Sequence, residues 1–595
     1  MLDAPVGRVW TVLAQTDKLN RAVGLPPVRP TPMDGKDLGR RVEAWLYGVL
    51  PMSWTEYPFE WVRDRRYAVQ RDYLRGPLTR FRGGVDIEPA GQGSRIRVWA
   101  ELTPRNLLGL LAIPIVGRLT LNRTWAYCRR VLEKDVRTLS APLHPLPSRR
   151  RGTDATLLEE RARLLQQIPG LDQRVIAELA RHLLEAGDED VVRMQPYALA
   201  ARWDRARPET LRVFLHATRL GLLNLSWALM CPHCRVPKAE AETFSLVTSH
   251  VHCETCGIDY EANLDRYVEL RFRVHPGIRA AKDEVFCFGG PYSAAHILVQ
   301  HMLAPGEARD VPVTLEDEAY RVRVLRVNQS VPLAPGDEGV RELSVTYGDA
   351  GWGSRELAFR PGPVRLRWAN QSSEAIGVVL ERVRWDELAA PAAEVTALQE
   401  FRDLFGSEVL APGQEIGVES VTIVFSDLKE STRLYEQAGD APAYGHVRRH
   451  FDFLKERIAR HRGAVVKTIG DAVMAVFHVP EEALRCCLEI QRDIQAFNDV
   501  QQGRRALTVK LGMHHGPAIA INANGRLDYF GRTVNIASRV LRESQGGDVV
   551  LAKSVVEQSR VREAMERDKA SVAEEWTSTL RGVAEPLPLC RVVGS

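Results

Sequence analysis

The sequence predicts a multidomain α+β protein that ends in an α/β sandwich over residues 416–595. Three observations point there. At 595 residues the chain is too long for one hydrophobic core. Two CxxC pairs, Cys231-Pro-His-Cys234 and Cys253-Glu-Thr-Cys256, sit in its middle. Near its end the β-branched run Val421–Asp427 reads as a buried strand. Ala464–Phe477 reads as a hairpin of two apolar strands over the Gly470-Asp471 turn.

Residues 1–140 form the first unit. Pro5–Leu13 reads as a helix start, and Ile96, Val98, Ala100 and Leu102 share one face of a half-buried strand. A long helix closes the unit, with Leu121, Trp125, Cys128, Leu132, Val136 and Leu139 stepping by three or four. Short helix, curved antiparallel sheet and long C-terminal helix resemble the helix-grip, START-like ligand-binding fold. That resemblance implies either a cavity for an apolar small molecule or a filled core. Residues 141–153, with Pro142, Pro145, Pro147 and Arg149–Arg151, have a linker's composition.

Residues 154–230 read as helical. They lead into Cys231, Cys234, Cys253 and Cys256 (residues 231–257), whose spacing is that of a tetrahedral zinc ribbon. Four thiolates leave no open coordination position, so the expected Zn²⁺ is structural. Residues 258–386 alternate in short segments between Pro and Gly turns, the pattern of an antiparallel β-sandwich. His296 and His301 are expected on a helix, in packing roles. Residues 154–400 together resemble an uncharacterised domain found ahead of some bacterial cyclases. Trp385–Phe405, within the connecting stretch 387–415, reads as one helix transmitting into the strand at 421.

In the last unit the first hairpin strand is expected beside Val421–Asp427, so that Asp427 and Asp471 meet at one sheet edge. Two converging carboxylates suit a hard divalent ion, and a triphosphate needs such ions. The segments Phe425-Ser-Asp-Leu428, Lys467-Thr-Ile-Gly-Asp471 and Leu527–Arg539 resemble the signature of class III adenylate and guanylate cyclases. The resemblance implies a ferredoxin-like catalytic domain and two Mg²⁺ or Mn²⁺ ions held by Asp427, Asp471 and the Leu428 carbonyl. It assigns the purine to Lys467 and Asp528, the ribose and transition state to Asn535 and Arg539, and the leaving phosphates to Arg581. Lys467 and Asp528 suit adenine, since Lys can donate to N1 and Asp can accept from the 6-amino group. The expected activity is therefore conversion of ATP to 3′,5′-cyclic AMP in a homodimer with shared sites, regulated by the N-terminal domains. The family usually has Gly or Asn at position 430, where this chain has Glu430. That departure leaves a weak or inactive nucleotide-binding scaffold as one alternative, and a guanylate cyclase is the other.

Composition narrows the rest. A net charge of +4 offers no broad polyanion-binding surface, so no nucleic acid partner is expected. The longest apolar run, Leu107–Gly117, contains Pro114 and falls short of the roughly 20 residues that cross a bilayer. No secretory signal opens the sequence, and nine cysteines, an odd number, fit a reducing compartment. A cytoplasmic protein without membrane insertion is expected.

Overall fold

The computed structural model describes residues 2–31, 38–46, 48–132, 152–385, 387–500, 506–583 and 585–594. Helix Val6–Leu13 starts behind Pro5 and turns Val9, Trp10, Val12 and Leu13 inward. Helix Thr16–Val23 ends on Gly24 in the left-handed region, the usual glycine C-terminus. Both pack on a strongly bent antiparallel sheet between Val28 and Pro104, with Tyr67, Val69, Val85 and Ile87 in the shared core. The closing helix, Leu107–Leu132, buries Cys128 and Leu132. Leu121 and Trp125 of the expected stripe stay partly exposed, and Leu121 borders a cavity rather than a filled core. Val136 and Leu139 lie outside the described residues.

This first sheet does not end with the first unit. Strand Glu60–Val62 pairs with strand Ile297–Leu303, Val62 standing opposite Val299. Among the described residues a twelve-stranded sheet results, running on through Ile376–Arg382, Tyr320–Val324, Ser330–Val340 and Leu357–Phe359. The second sheet of the sandwich, built on Ala308–Leu315, Gly362–Asn370 and Glu342–Gly348, packs over this part through Trp368, Leu366 and Val313. The sandwich is thus not a free-standing unit, since one of its sheets continues the N-terminal one.

Three further expectations are corrected here. Residues 223–230 are not helical but form strand Leu223–Met230, paired with Val268–Val274 and Pro237–Ala241. Helices end at Arg219, and the alternation Leu223-Asn-Leu-Ser-Trp227 after Gly221 favours a strand. His296 and His301 are not on a helix: a single 3-10 turn, Pro291–Ala294, ends before His296, and His301 is within the almost fully buried strand Ile297–Leu303. Trp385–Phe405 is not one helix but two short ones, Ala392–Thr396 and Gln399–Leu404. They are separated at Leu398, whose backbone is extended, and Pro391 sets the start of the first.

In the C-terminal domain we label β1 (Glu415–Leu428), α1 (Ser431–Ala438), α2 (Asp440–Arg460), β2 (Ala464–Ile469), β3 (Ala472–Phe477), α3 (Pro480–Val500), β4 (Val509–Ala523), β5 (Arg526–Phe530), α4 (Arg532–Glu543), β6 (Val549–Ala552), α5 (Lys553–Val556), α6 (Ser559–Arg567), β7 (Ser571–Ser578) and β8 (Leu587–Val593). The sheet order is β2-β3-β1-β4-β6-β8-β7, with β5 beside β4. It is the second hairpin strand, β3, that lies against β1, not the first. β3 is wholly apolar and almost entirely buried, whereas β2 carries Lys467 and Thr468 and so takes the edge. β4 runs straight through Gly516-Pro517, opposite the register shift between Val418 and Val421 of β1, where Pro517's missing N–H leaves no bond unmade.

The two faces of this sheet have different covers. α2, α3 and α6 cover one, through Val447, Leu454, Ile458, Cys487 and Ile490, with Cys486 and Cys487 as packing residues. The other, carrying Ile423, Phe425, Met474 and Val476, joins a core that includes Phe214, Trp227, Phe244 and Phe401 of the middle region.

A buried charge cluster ties the first cysteine knuckle to the large sheet. Glu381 is fully buried and accepts from Arg321 and Arg323 at 2.5 and 2.9 Å. Arg321 also donates to the carbonyl of Pro232 and Arg323 to that of His233, which bonds His296 as well. Replacing Glu381 by Gln leaves Arg323 buried and unpaired, a loss of roughly 3–5 kcal/mol. The expected outcome is a clearly lowered first thermal transition of the full chain. An unchanged transition would remove this cluster from the account of the fold.

Candidate active site

The chain ends of β1 and β5, the β2–β3 turn and helix α4 bring the expected residues into three clusters. In the first, Asp427 lies near the end of β1, opposite Lys510 of β4. Asp471 follows Gly470, whose φ of +65° suits glycine at the β2–β3 turn. Burial, followed by the charge of the nearby Asp471, raises the Asp427 pKa above the usual carboxylate range. Asp471 Oδ2 is buried with no hydrogen-bond partner. A pair of crowded carboxyls with an orphaned oxygen is a donor set for a hard cation, and Leu428 stands beside it on the same strand. The ordinary alternative, a carboxylate capping a turn, would have left that oxygen bonded.

The second cluster is Lys467 and Asp528. A bulge between Val465 and Lys467 changes the register of β2 and re-aims the lysine. Its Nζ lies 2.5 Å from Asp528 Oδ2, while Asp528 Oδ1 accepts from the Tyr529 amide at 2.8 Å. One ammonium and one carboxylate, held side by side on two strands that do not pair with each other, offer a donor and an acceptor to a planar ligand.

The third cluster lies on α4. Asn535 is exposed one turn before Arg539, and α4 opens at Gly531, with φ +125°. The Arg539 guanidinium lies against Gly582, where a Cβ would come within 3.2 Å of it. Arg581 is exposed in the same turn.

Glu430 occupies the left-handed region at φ +60°, which explains a glycine preference at this position. Its carboxylate pairs with Arg433 at 3.0 Å. The charge is therefore answered locally.

Sequence reasoning missed the residues that brace this site from outside the domain. Arg402 donates to the carbonyls of Leu527 and Thr396, both at 2.8 Å, and its guanidinium lies over the Tyr529 ring. Thr396 bonds the Tyr529 hydroxyl at 3.2 Å, and Gln399 accepts from the Val465 amide at 2.8 Å. The two short helices thus grip β5 on both sides of Asp528 and β2 two residues before Lys467. On their other side Glu400 pairs with Arg212 and His216, and Glu394 bonds Tyr197. No motif marks these positions, since the acceptors are mostly main-chain groups.

The four cysteines converge as expected. Their sulfurs lie within 4.8 Å of one another, close to the edge of roughly 3.8 Å that Zn–S bonds of about 2.3 Å imply. The Cys256 amide donates to Cys253 Sγ and the His233 amide to Cys231 Sγ, as amides do around thiolate ligands. None of the four forms a disulfide.

With this geometry in hand, comparison with known proteins is direct. Residues 414–579 match the adenylate and guanylate cyclase catalytic domain family, and residues 158–284 match a family of unknown function (DUF5939). Adenylate cyclase 1 of Rhizobium meliloti is 28% identical over 30% of this chain and 28% of its own length. A pH-sensitive adenylate cyclase of Mycobacterium tuberculosis is 28% identical over 49% of this chain and 69% of its own length. The chain thus spans under a third of the Rhizobium protein. A crystal structure of the adenylyl cyclase CyaB from P. aeruginosa aligns with 31% of this chain and 97% of that one, at 20% identity and a TM-score of 0.27. Over residues 414–579 this chain carries an adenylate and guanylate cyclase catalytic domain.

Proposed function

We propose that this chain is an adenylate cyclase that converts ATP to 3′,5′-cyclic AMP and pyrophosphate. The observation that carries the reading is the Lys467–Asp528 pair, preformed at 2.5 Å in a catalytic domain of the cyclase family. Adenine enters by exchanging partners with this pair, Lys467 donating to N1 and Asp528 accepting from the 6-amino group. Guanine offers the inverse pattern at both positions and would leave two buried polar groups opposed.

Asp427, Asp471 and the Leu428 carbonyl would hold two divalent cations. When bound, these polarise the ribose 3′-hydroxyl and neutralise the phosphates. Asn535 orients the ribose. Arg539, braced in the notch at Gly582, meets charge developing on the phosphorus, and Arg581 meets the departing phosphates. The chain acts as a head-to-tail homodimer, metal ligands from one subunit facing Asn535 and Arg539 of the other. Exposed apolar Ile469, Ile519 and Phe530, beside the purine pair, fit such an interface. The cysteine cluster holds a structural zinc.

Regulation enters through the two short helices, which connect the helical middle region to the base-reading strands. A cavity of about 320 Å³ between helix Leu107–Leu132 and the N-terminal sheet, lined by Leu19, Phe59, Val69 and Phe81, fits an apolar small-molecule effector. The sheet shared with the sandwich gives that effector a route to the middle region.

The test is purified protein with ATP or GTP and Mg²⁺ or Mn²⁺. Cyclic AMP well above cyclic GMP is expected. In the same assay, Asp427→Ala and Asn535→Ala proteins should each be inactive and regain activity when mixed, because one of the two sites in a mixed dimer is intact. ATP binding without cyclic product would leave a scaffold instead.

A second prediction follows from the crowded carboxyls. A carboxyl whose folded pKa is raised contributes stability below its unfolded pKa, and this is lost as pH rises through the folded value. Asp427→Asn should therefore raise the melting temperature of the metal-free protein at neutral pH. Mn²⁺ should stabilise the wild type more at pH 8 than at pH 5, and the variant hardly at all. An equal Mn²⁺ shift in both proteins would contradict the metal assignment.

A further inference from the structure

Helix Leu107–Leu132 is apolar in two directions at once. Gly109, Ile113, Gly117, Thr120 and Thr124 recur every three or four residues and line the cavity. Leu107, Leu110, Leu111 and Ile115 are instead 77%, 57%, 71% and 71% exposed, a stripe that a helix in a globular protein ordinarily covers. A hairpin beside it continues the patch. Trp45, Val49 and Leu50 are exposed, while Leu46 and Met52 of the same hairpin line the cavity together with Gly109.

On the helix itself the charge has one sign. The helix carries Arg118, Arg123, Arg129 and Arg130 and no acidic residue. Arg105, exposed just before it, bonds the carbonyls of Tyr73 and Leu74, and Arg75 is exposed next to them.

We propose that this face docks on an anionic lipid bilayer, the helix lying in the interface with Leu110, Leu111 and Ile115 among the acyl chains and the arginines at the phosphates. Between Asn106 and Arg118 no side chain can hydrogen-bond, and arginines flank this apolar run, which is the composition of a helix that lies in a membrane interface. No helix among the described residues is long and apolar enough to cross a membrane, so the contact is peripheral. The cavity lies directly behind the docked stripe, so an apolar effector of the kind proposed above would pass from bilayer to cavity without crossing water. That last step rests on the effector reading; the docking does not.

The experiment is flotation of the full chain with vesicles of phosphatidylcholine alone or mixed with phosphatidylglycerol. Binding to the mixed vesicles should exceed binding to neutral ones by about tenfold and weaken as salt is raised. Ile115→Glu and Leu111→Glu should abolish it, and Arg118→Gln should weaken it about fivefold. All three positions are exposed, and unchanged circular dichroism and melting would show that the variants fold. Absence of flotation with any vesicle, or flotation of Ile115→Glu equal to wild type, would overturn the proposal. So would a self-association in sedimentation that Ile115→Glu disrupts without any vesicle binding, since the stripe would then join two copies.

Discussion

The catalytic sheet has two apolar faces, and its own helices α2, α3 and α6 cover only one of them. This constraint organises the molecule. The second face, with Ile423, Phe425 and Met474, is closed by α4 and by residues from the middle region, including Phe401 of the second short helix. Exposing these side chains to water would cost about 1.5–3 kcal/mol each, so the catalytic domain and the middle region stabilise each other. What looks like a linker in the sequence is therefore part of a core. The same helices that fill it also hold the backbone on both sides of Asp528, which makes the position of the Lys467–Asp528 pair depend on packing elsewhere.

The site is built at a cost to stability. Asp427 and Asp471 are crowded, and one carboxylate oxygen has no partner. Glu430, three residues beyond Asp427, sits at positive φ without being glycine. Such features persist only where the surrounding structure over-determines them. Here β1 does so, paired with β3 and β4. Tight, doubly covered packing and a strained residue beyond the strand end are two sides of one arrangement.

The candidate site's residues are legible in the sequence because they are local. Asp427, Lys467, Asp471, Asp528, Asn535 and Arg539 lie in three short segments, and the CxxC spacing reports directly on a thiolate cluster. Pairing between distant segments was not legible. Nothing in Glu60–Val62 announces Ile297–Leu303 as its neighbour, because a three-residue strand carries too little pattern to choose a partner. The hairpin order was misread because both strands are apolar; Lys467 and Thr468 were the sign that β2 takes the edge. Trp385–Phe405 looked helical because Ala, Leu and Glu favour helices, but tertiary burial around Leu398 overrode that preference. Arg402 left no trace at all, since a guanidinium bonded to main-chain carbonyls places no demand on its partner's side chain.

The central claim is that the middle region holds in place the strands that carry Lys467 and Asp528, and Arg402 is where it is most exposed to test. Steady-state kinetics of Arg402→Met, with Arg402→Lys as the conservative partner, address it directly. The account predicts that Arg402→Met lowers kcat/KM for ATP roughly tenfold, from loss of a charge-assisted hydrogen bond at Leu527, and narrows the preference for ATP over GTP. Arg402→Lys should recover part of the loss, while stabilisation by Mn²⁺ stays at the wild-type value. Wild-type kinetics and selectivity in Arg402→Met would contradict it.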